Sequence, residues 1–108
     1  MTTKTRTVMA LLAAIFLLAL QVASAQATGA DTYQSKCAMC HGPNGDASGA
    51  MAKNMGLKPM SSPDVQNQSD ADLTNRITNG KGKMPAWKGK LTDAQITDLV
   101  AYIRSLKK

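Results

Sequence analysis

The sequence predicts a small all-α domain, and three observations predict it. Ile96, Leu99, Val100, Ile103 and Leu106 recur at the 3.6-residue period of a core-facing helix. Ser69-Asp70-Ala71-Asp72 and Thr92-Asp93-Ala94-Gln95 write two helix starts in capping residues. Strands alternating with helices, which a parallel sheet would need, are not found. At 108 residues the chain has room for one domain.

The N-terminus is read apart from that domain. Lys4 and Arg6 precede an apolar run from Val8 to Leu20, and Ala23-Ser24-Ala25 supplies small residues behind it. This order is that of a secretory signal peptide over residues 1–25, cleaved before Gln26. The alternative is an uncleaved membrane anchor, for which the apolar run is short. A domain over residues 26–108 with no membrane span is then expected in the periplasm of a Gram-negative bacterium. It keeps three aromatic residues, Tyr33, Trp87 and Tyr102. A domain so small hides only about 60% of the surface its unfolded chain exposes, so it needs a staple. Its lysines and arginines outnumber its aspartates, and it has no glutamate. A mild basic excess suits docking on acidic protein surfaces. It does not suit nucleic acid, because no arginine cluster with interleaved aromatics appears.

Taken in order, residues 26–40 read as a short helix. Asp31 lies near its positive end, and Gly29 and Tyr33 share a face with Cys37. That face predicts a helix crossing, Gly29 allowing close approach and Tyr33 packing into it. Residues 42–68 are broken by Gly42, Gly45, Gly49 and Gly56 and by Pro43, Pro59 and Pro63. Only residues 50–57 are expected to make a helical turn or two. So long a loop is uncommon unless it wraps something. Residues 69–79 form a helix with Leu73 and Ile77 at i and i+4, stopped by Gly80. A basic loop over 81–90 carries Met84 and Trp87. The last helix follows, with Lys107 and Lys108 at its negative end.

Cys37-Ala38-Met39-Cys40-His41 explains what the long loop wraps. It reads C-x-x-C-H, the attachment signature of c-type haem. A thiol adds across a haem vinyl group to leave a thioether. Two thiols three residues apart on a helix face one porphyrin edge, and the adjacent imidazole is carried beneath the iron. A thioredoxin-like pair would need the absent strands. A zinc site would need about four ligands, and the chain has two cysteines and one histidine. A plain disulfide is the remaining alternative. One covalently bound haem c therefore supplies the missing core, and the haem-free chain is expected to be largely unfolded. His41 needs an acceptor for its second ring nitrogen, with the carbonyls of Pro43 and Pro59 as candidates.

Iron ligated by His41 needs a second axial ligand or an open position. No second histidine exists, so methionine sulfur is the natural ligand. Met39 lies inside the attachment loop and cannot reach the far face. Met51, Met55 and Met60 sit in the wrapping loop, where methionine fills gaps. Met84 stands between two helices and just before Pro85, which stiffens its approach. Met84 is the expected ligand, with Met60 or Met55 next.

With these residues in hand, the chain resembles the class I c-type cytochromes along nearly all of residues 26–108. The resemblance rests on Gly29 and Tyr33 ahead of C-A-M-C-H, on M-P-A-W from Met84 to Trp87, and on D-L-V-A-Y-I from Asp98 to Ile103. It implies a cytochrome c-like fold of three to four helices around one covalently bound haem, with the first and last helices of the domain crossed. It implies that Gly29 and Tyr33 lie against Leu99 and Tyr102, with His41 proximal and Met84 distal. The loop over 42–68 is shorter than in mitochondrial members and looks like that of small bacterial ones.

The expected function is a monomeric periplasmic carrier of single electrons, not an enzyme. Lys36, Lys81, Lys83, Lys88 and Lys90 are expected around the haem edge to steer redox partners with acidic docking surfaces. Trp87 is expected to pack on the haem or to reach a propionate. The alternatives are a peroxidase-like haem enzyme or gas sensor with a vacated distal position, and a dedicated electron-transfer subunit of a larger oxidoreductase.

Overall fold

The computed structural model describes residues 3–19 and 28–108. Among these residues, seven helical segments follow one another: α1 Thr3–Ala19, α2 Gly29–Lys36, α3 Ala38–His41, α4 Ala50–Met55, α5 Pro63–Gln66, α6 Asp70–Asn79 and α7 Asp93–Ser105. No strand occurs among the described residues beyond two isolated bridges. The expected cleavage residues Ala23-Ser24-Ala25 and Gln26 lie outside the described residues. Among those described, no helix is long and apolar enough to cross a membrane.

Three helices of the domain begin on reciprocal caps. Thr92 Oγ1 accepts from the Gln95 amide, and Gln95 Oε1 accepts from the Thr92 amide at 2.9 Å. Ser69 and Asp72 repeat the exchange at α6, as do Thr28 and Asp31 at α2. Each cap satisfies amides that the first helical turn leaves without carbonyl partners. The segment expected as one helix into the haem motif is two, because φ widens at Cys37 (φ −117°, ψ −32°), right-handed but away from regular helix values, between α2 and α3. Its amide still donates to the Tyr33 carbonyl at 2.8 Å, so α2 closes its last turn before the kink. One further helical turn, α5, lies where only loop was expected. Ser62 is its N-cap residue and Pro63 its first position, where proline's missing N–H is no loss.

The core lies where α2, α6 and α7 meet. Tyr33, Leu99 and Ile96 are its most deeply buried large side chains, joined by Leu73, Ile77, Val100 and Ile103. The expected crossing is present. Gly29 packs so tightly on α7 that an added Cβ would meet the Asp98 carbonyl oxygen, lying 2.8 Å from the carbonyl carbon and 3.2 Å from Tyr102 Cβ. The rings of Tyr33 and Tyr102 stack tilted beside it, centroids 5.0 Å apart. Gly29→Ala must push the two helices apart. It is expected to cost about 3 kcal/mol, lowering the melting temperature of the haem-loaded protein by roughly 12–24 °C for a domain of this size, read by circular dichroism.

Polar groups tie a second segment to α7. Arg104 on α7 donates from Nε to Asp70 at 2.8 Å, from Nη1 to the Gln66 carbonyl at 2.9 Å and from Nη2 to the Gln68 carbonyl. Gln66 Nε2 donates to the Met60 carbonyl at 2.7 Å and to the Ile103 carbonyl at 2.9 Å. The segment from Met60 to Asp70 is therefore held to α7 by side chain-to-backbone bonds that span more than thirty residues of sequence.

Candidate haem site

The irregular segments and the ends of α2, α3 and α6 enclose a cavity of about 570 Å³, within the range of cofactor-sized pockets. Cys37, Cys40, His41 and Met84 all line it. So do Leu57, Val65, Leu73, Ile77, Trp87 and Ile103, which make its wall largely apolar. The long loop wraps this space, as its length implied: Met55 to Lys58, Met60 and Asp64 belong to the wall.

Both cysteines are free thiols. Burial, and after it the neighbouring Cys40, pushes the Cys37 thiol up to about 11, so it is protonated at neutral pH. Burial lowers His41, which favours the neutral imidazole whose lone pair a metal requires. His41 Nδ1 is buried without a hydrogen-bond partner. Neither expected acceptor reaches it: the Pro43 carbonyl accepts from Gln34 Nε2 at 2.6 Å, and the Pro59 carbonyl accepts from the Ser62 backbone amide at 3.0 Å. Tyr33 acts on the next residue instead. Its hydroxyl, buried, donates to the Gly42 carbonyl at 2.8 Å and so fixes the chain just after His41.

Tyr33→Phe removes one of the two bonds to that carbonyl, which keeps the Gly45 amide at 3.1 Å, and is expected to cost about 0.5–1.5 kcal/mol. It also changes the alkaline limb of stability. Burial, then Cys37, raises the Tyr33 hydroxyl above the ordinary tyrosine value. The unfolded chain therefore loses this proton first, and wild-type stability begins to fall above about pH 10. Denaturant melts between pH 8 and 11 should show a smaller fall in the variant.

The methionines separate by environment. Met39 is 81% exposed and Met51 45% exposed, and Met51 Sδ lies 3.4 Å from Cys40 Sγ. Met60 is built into the core: its amide donates to the Gly45 carbonyl at 2.7 Å, and its carbonyl accepts from Gln66. Met55 ends α4 on the cavity wall. Met84 sits on a tight turn, where its amide and carbonyl exchange bonds with Lys81 at 3.0 and 3.1 Å. Beyond it, the Trp87 amide donates to the Ile77 carbonyl at 3.1 Å and the Lys88 amide to the Thr78 carbonyl at 3.0 Å. The segment carrying Met84 is thus tied to the end of α6.

The cavity rim is cationic, with three of the five lysines expected. Lys36, Lys81 and Lys83 line it, joined by Lys58 and Arg76, with Asp64 as the acid among them. Lys88 and Lys90 do not line it; Lys90 Nζ lies 5.6 Å over the Trp87 ring. Lys58 and Arg76 were legible only as charges, because their placement follows from how the loop after α4 and the helix α6 face the cavity.

A porphyrin fits these residues. The cavity is large and apolar enough for it, two unpaired thiols and a neutral imidazole share one wall, and cations stand at the rim for carboxylate substituents.

Comparison with known proteins agrees. The family described as cytochrome c oxidase, cbb3-type, subunit III matches residues 24–103. Cytochrome c6 of Bryopsis maxima is 39% identical over 80 residues, covering 69% of this chain and 84% of that protein. The cbb3-type cytochrome c oxidase subunit CcoP of Azospirillum brasilense is 38% identical over 86 residues, 78% of this chain but only 29% of that protein. The solved structure of the KustC0563 c-type cytochrome superposes with a TM-score of 0.69 at 28% identity, covering 75% of this chain and 99% of that one.

Proposed function

The chain belongs to the class I c-type cytochromes, and from that premise we propose that it shuttles single electrons in the periplasm. It is a monohaem c-type cytochrome of electron transfer, and its cofactor is covalently bound haem c. The observation that carries the finer reading is the convergence of Cys37, Cys40, His41 and Met84 on one apolar cavity.

When bound, haem supplies an iron that takes up and releases one electron. Cys37 and Cys40 would hold it through thioethers, so that the group is not lost. His41 and Met84 would supply the iron with a nitrogen and a sulfur ligand. Their backbones are fixed by the Tyr33–Gly42 bond and by the ties to α6, so neither needs to move between redox states. A thioether ligand and an apolar wall raise the potential. Lys36, Lys58, Arg76, Lys81 and Lys83 steer acidic redox partners toward the rim, with a rate that falls as salt rises. Residues 1–25 direct export and are removed, leaving a monomer without enzymatic turnover of its own.

Redox titration of the exported protein with absorption spectra tests this. One one-electron wave at positive potential, a thioether-to-iron band and no rapid carbon monoxide binding are expected. A colourless protein with both thiols open to alkylation overturns it. The match to an oxidase subunit favours one other reading, a fixed electron-transfer subunit of a larger assembly. Retention of a membrane oxidase on the tagged chain through a salt wash selects that reading over the free shuttle.

A further inference from the structure

We propose that Gly80 is a positioning residue for Met84: the α-carbon without a side chain lets the end of α6 act as a mould that sets how far the Met84 sulfur reaches into the cavity. The inference rests on the reading of Met84 as axial ligand.

Two independent observations meet at this position. Gly80 has φ +69° and ψ −179°, a region of backbone space open essentially to glycine alone. An added Cβ would also lie 2.5 Å from the Met84 carbonyl oxygen, 2.8 Å from the Pro85 carbonyl carbon and 2.8 Å from the Ala86 amide nitrogen. All three atoms are backbone, and all belong to the segment carrying the sulfur, so nothing flexible can yield in their place.

The surrounding bonds make the contact directional. Gly80 itself is held, its amide donating to the Arg76 carbonyl at 2.9 Å. Past it, Lys81 and Met84 exchange two backbone bonds, closing the turn. The Trp87 and Lys88 amides then return to the Ile77 and Thr78 carbonyls, satisfying acceptors that the last helical turn leaves open. Residues 84–86 are thereby pressed against Gly80 from both sides. A side chain at 80 would therefore displace the backbone that carries Met84.

Gly80→Ala is compared with Gly89→Ala, a second glycine of positive φ without the contact. Gly89 also has a positive φ, +77°, but nothing lies within 4 Å of its added Cβ. Both proteins should mature with haem. Gly80→Ala should lose most of the thioether-to-iron band, show a lowered potential and bind carbon monoxide when reduced, while Gly89→Ala keeps all three wild-type properties. Wild-type band, potential and carbon monoxide behaviour in Gly80→Ala overturn the proposal. So does equal loss in both variants, which would assign the effect to backbone strain. Met84→Ala, run beside them, tests the reading beneath: if it keeps the band, the ligand assignment itself falls.

Should Gly80→Ala yield no haem protein, hydrogen exchange of the wild type in mild guanidinium answers the same question. The Trp87 and Lys88 amides should lose protection together with the band. Band loss while both amides stay protected would show that ligation does not depend on the mould.

Discussion

Met84→Ala is expected to abolish the thioether-to-iron band and open the iron to carbon monoxide. The reduction potential should fall by on the order of 0.1 V or more, within the span of about 0.8 V over which axial ligands act. Fold stability should change less, because Met84 is only partly buried and packs at the margin of the core. Absorption spectra of oxidised and reduced protein, with a redox titration, read all of these effects. The competing residues also line the cavity but sit differently: Met60 is buried in the core, its amide bonded to the Gly45 carbonyl, and Met55 ends α4. A variant spectrum matching wild type would hand the role to one of them.

Preventing haem attachment should have the larger effect on structure. A chain with Cys37→Ser and Cys40→Ser is expected to be largely unfolded, without a cooperative thermal transition. The magnitude follows from the cavity. At about 24 cal/mol per Å³ of unfilled space, a void of about 570 Å³ costs on the order of 10 kcal/mol. Water in the open mouth makes this an upper figure, yet it is comparable to the whole stability of an ordinary domain. Far-UV circular dichroism against temperature measures it, and a sharp native-like melt would contradict the expectation.

The parts of the structure legible in the sequence were those set by short-range chemistry. The caps at Ser69 and Thr92, the periodic stripe of α7 and the attachment motif each involve residues within a few positions of one another. The Gly29–Tyr33 crossing was legible because a glycine and an aromatic on one helical face leave few other uses for the pair. What escaped depended on distant parts of the chain, or on a signal with two meanings. Pro63 was counted as a breaker, although Ser62 before it marked a helix start. The kink at Cys37 has no local breaker to announce it. The bonds of Gln66 and Arg104 join residues more than thirty apart, and no spacing rule connects them. Likewise, a lysine in sequence carries no direction, so Lys88 and Lys90 could not be told from Lys81 and Lys83.

The crossing of α2 with α7 and the fork of Arg104 put both closures of the fold on its final helix. The ribosome makes α7 after every element that it closes. A product that stops before α7 lacks the surface that receives Gly29 and the guanidinium that secures the cavity wall, whatever pigment it has acquired. Such fragments stay loose and open to proteases, so the architecture makes the fold wait for α7.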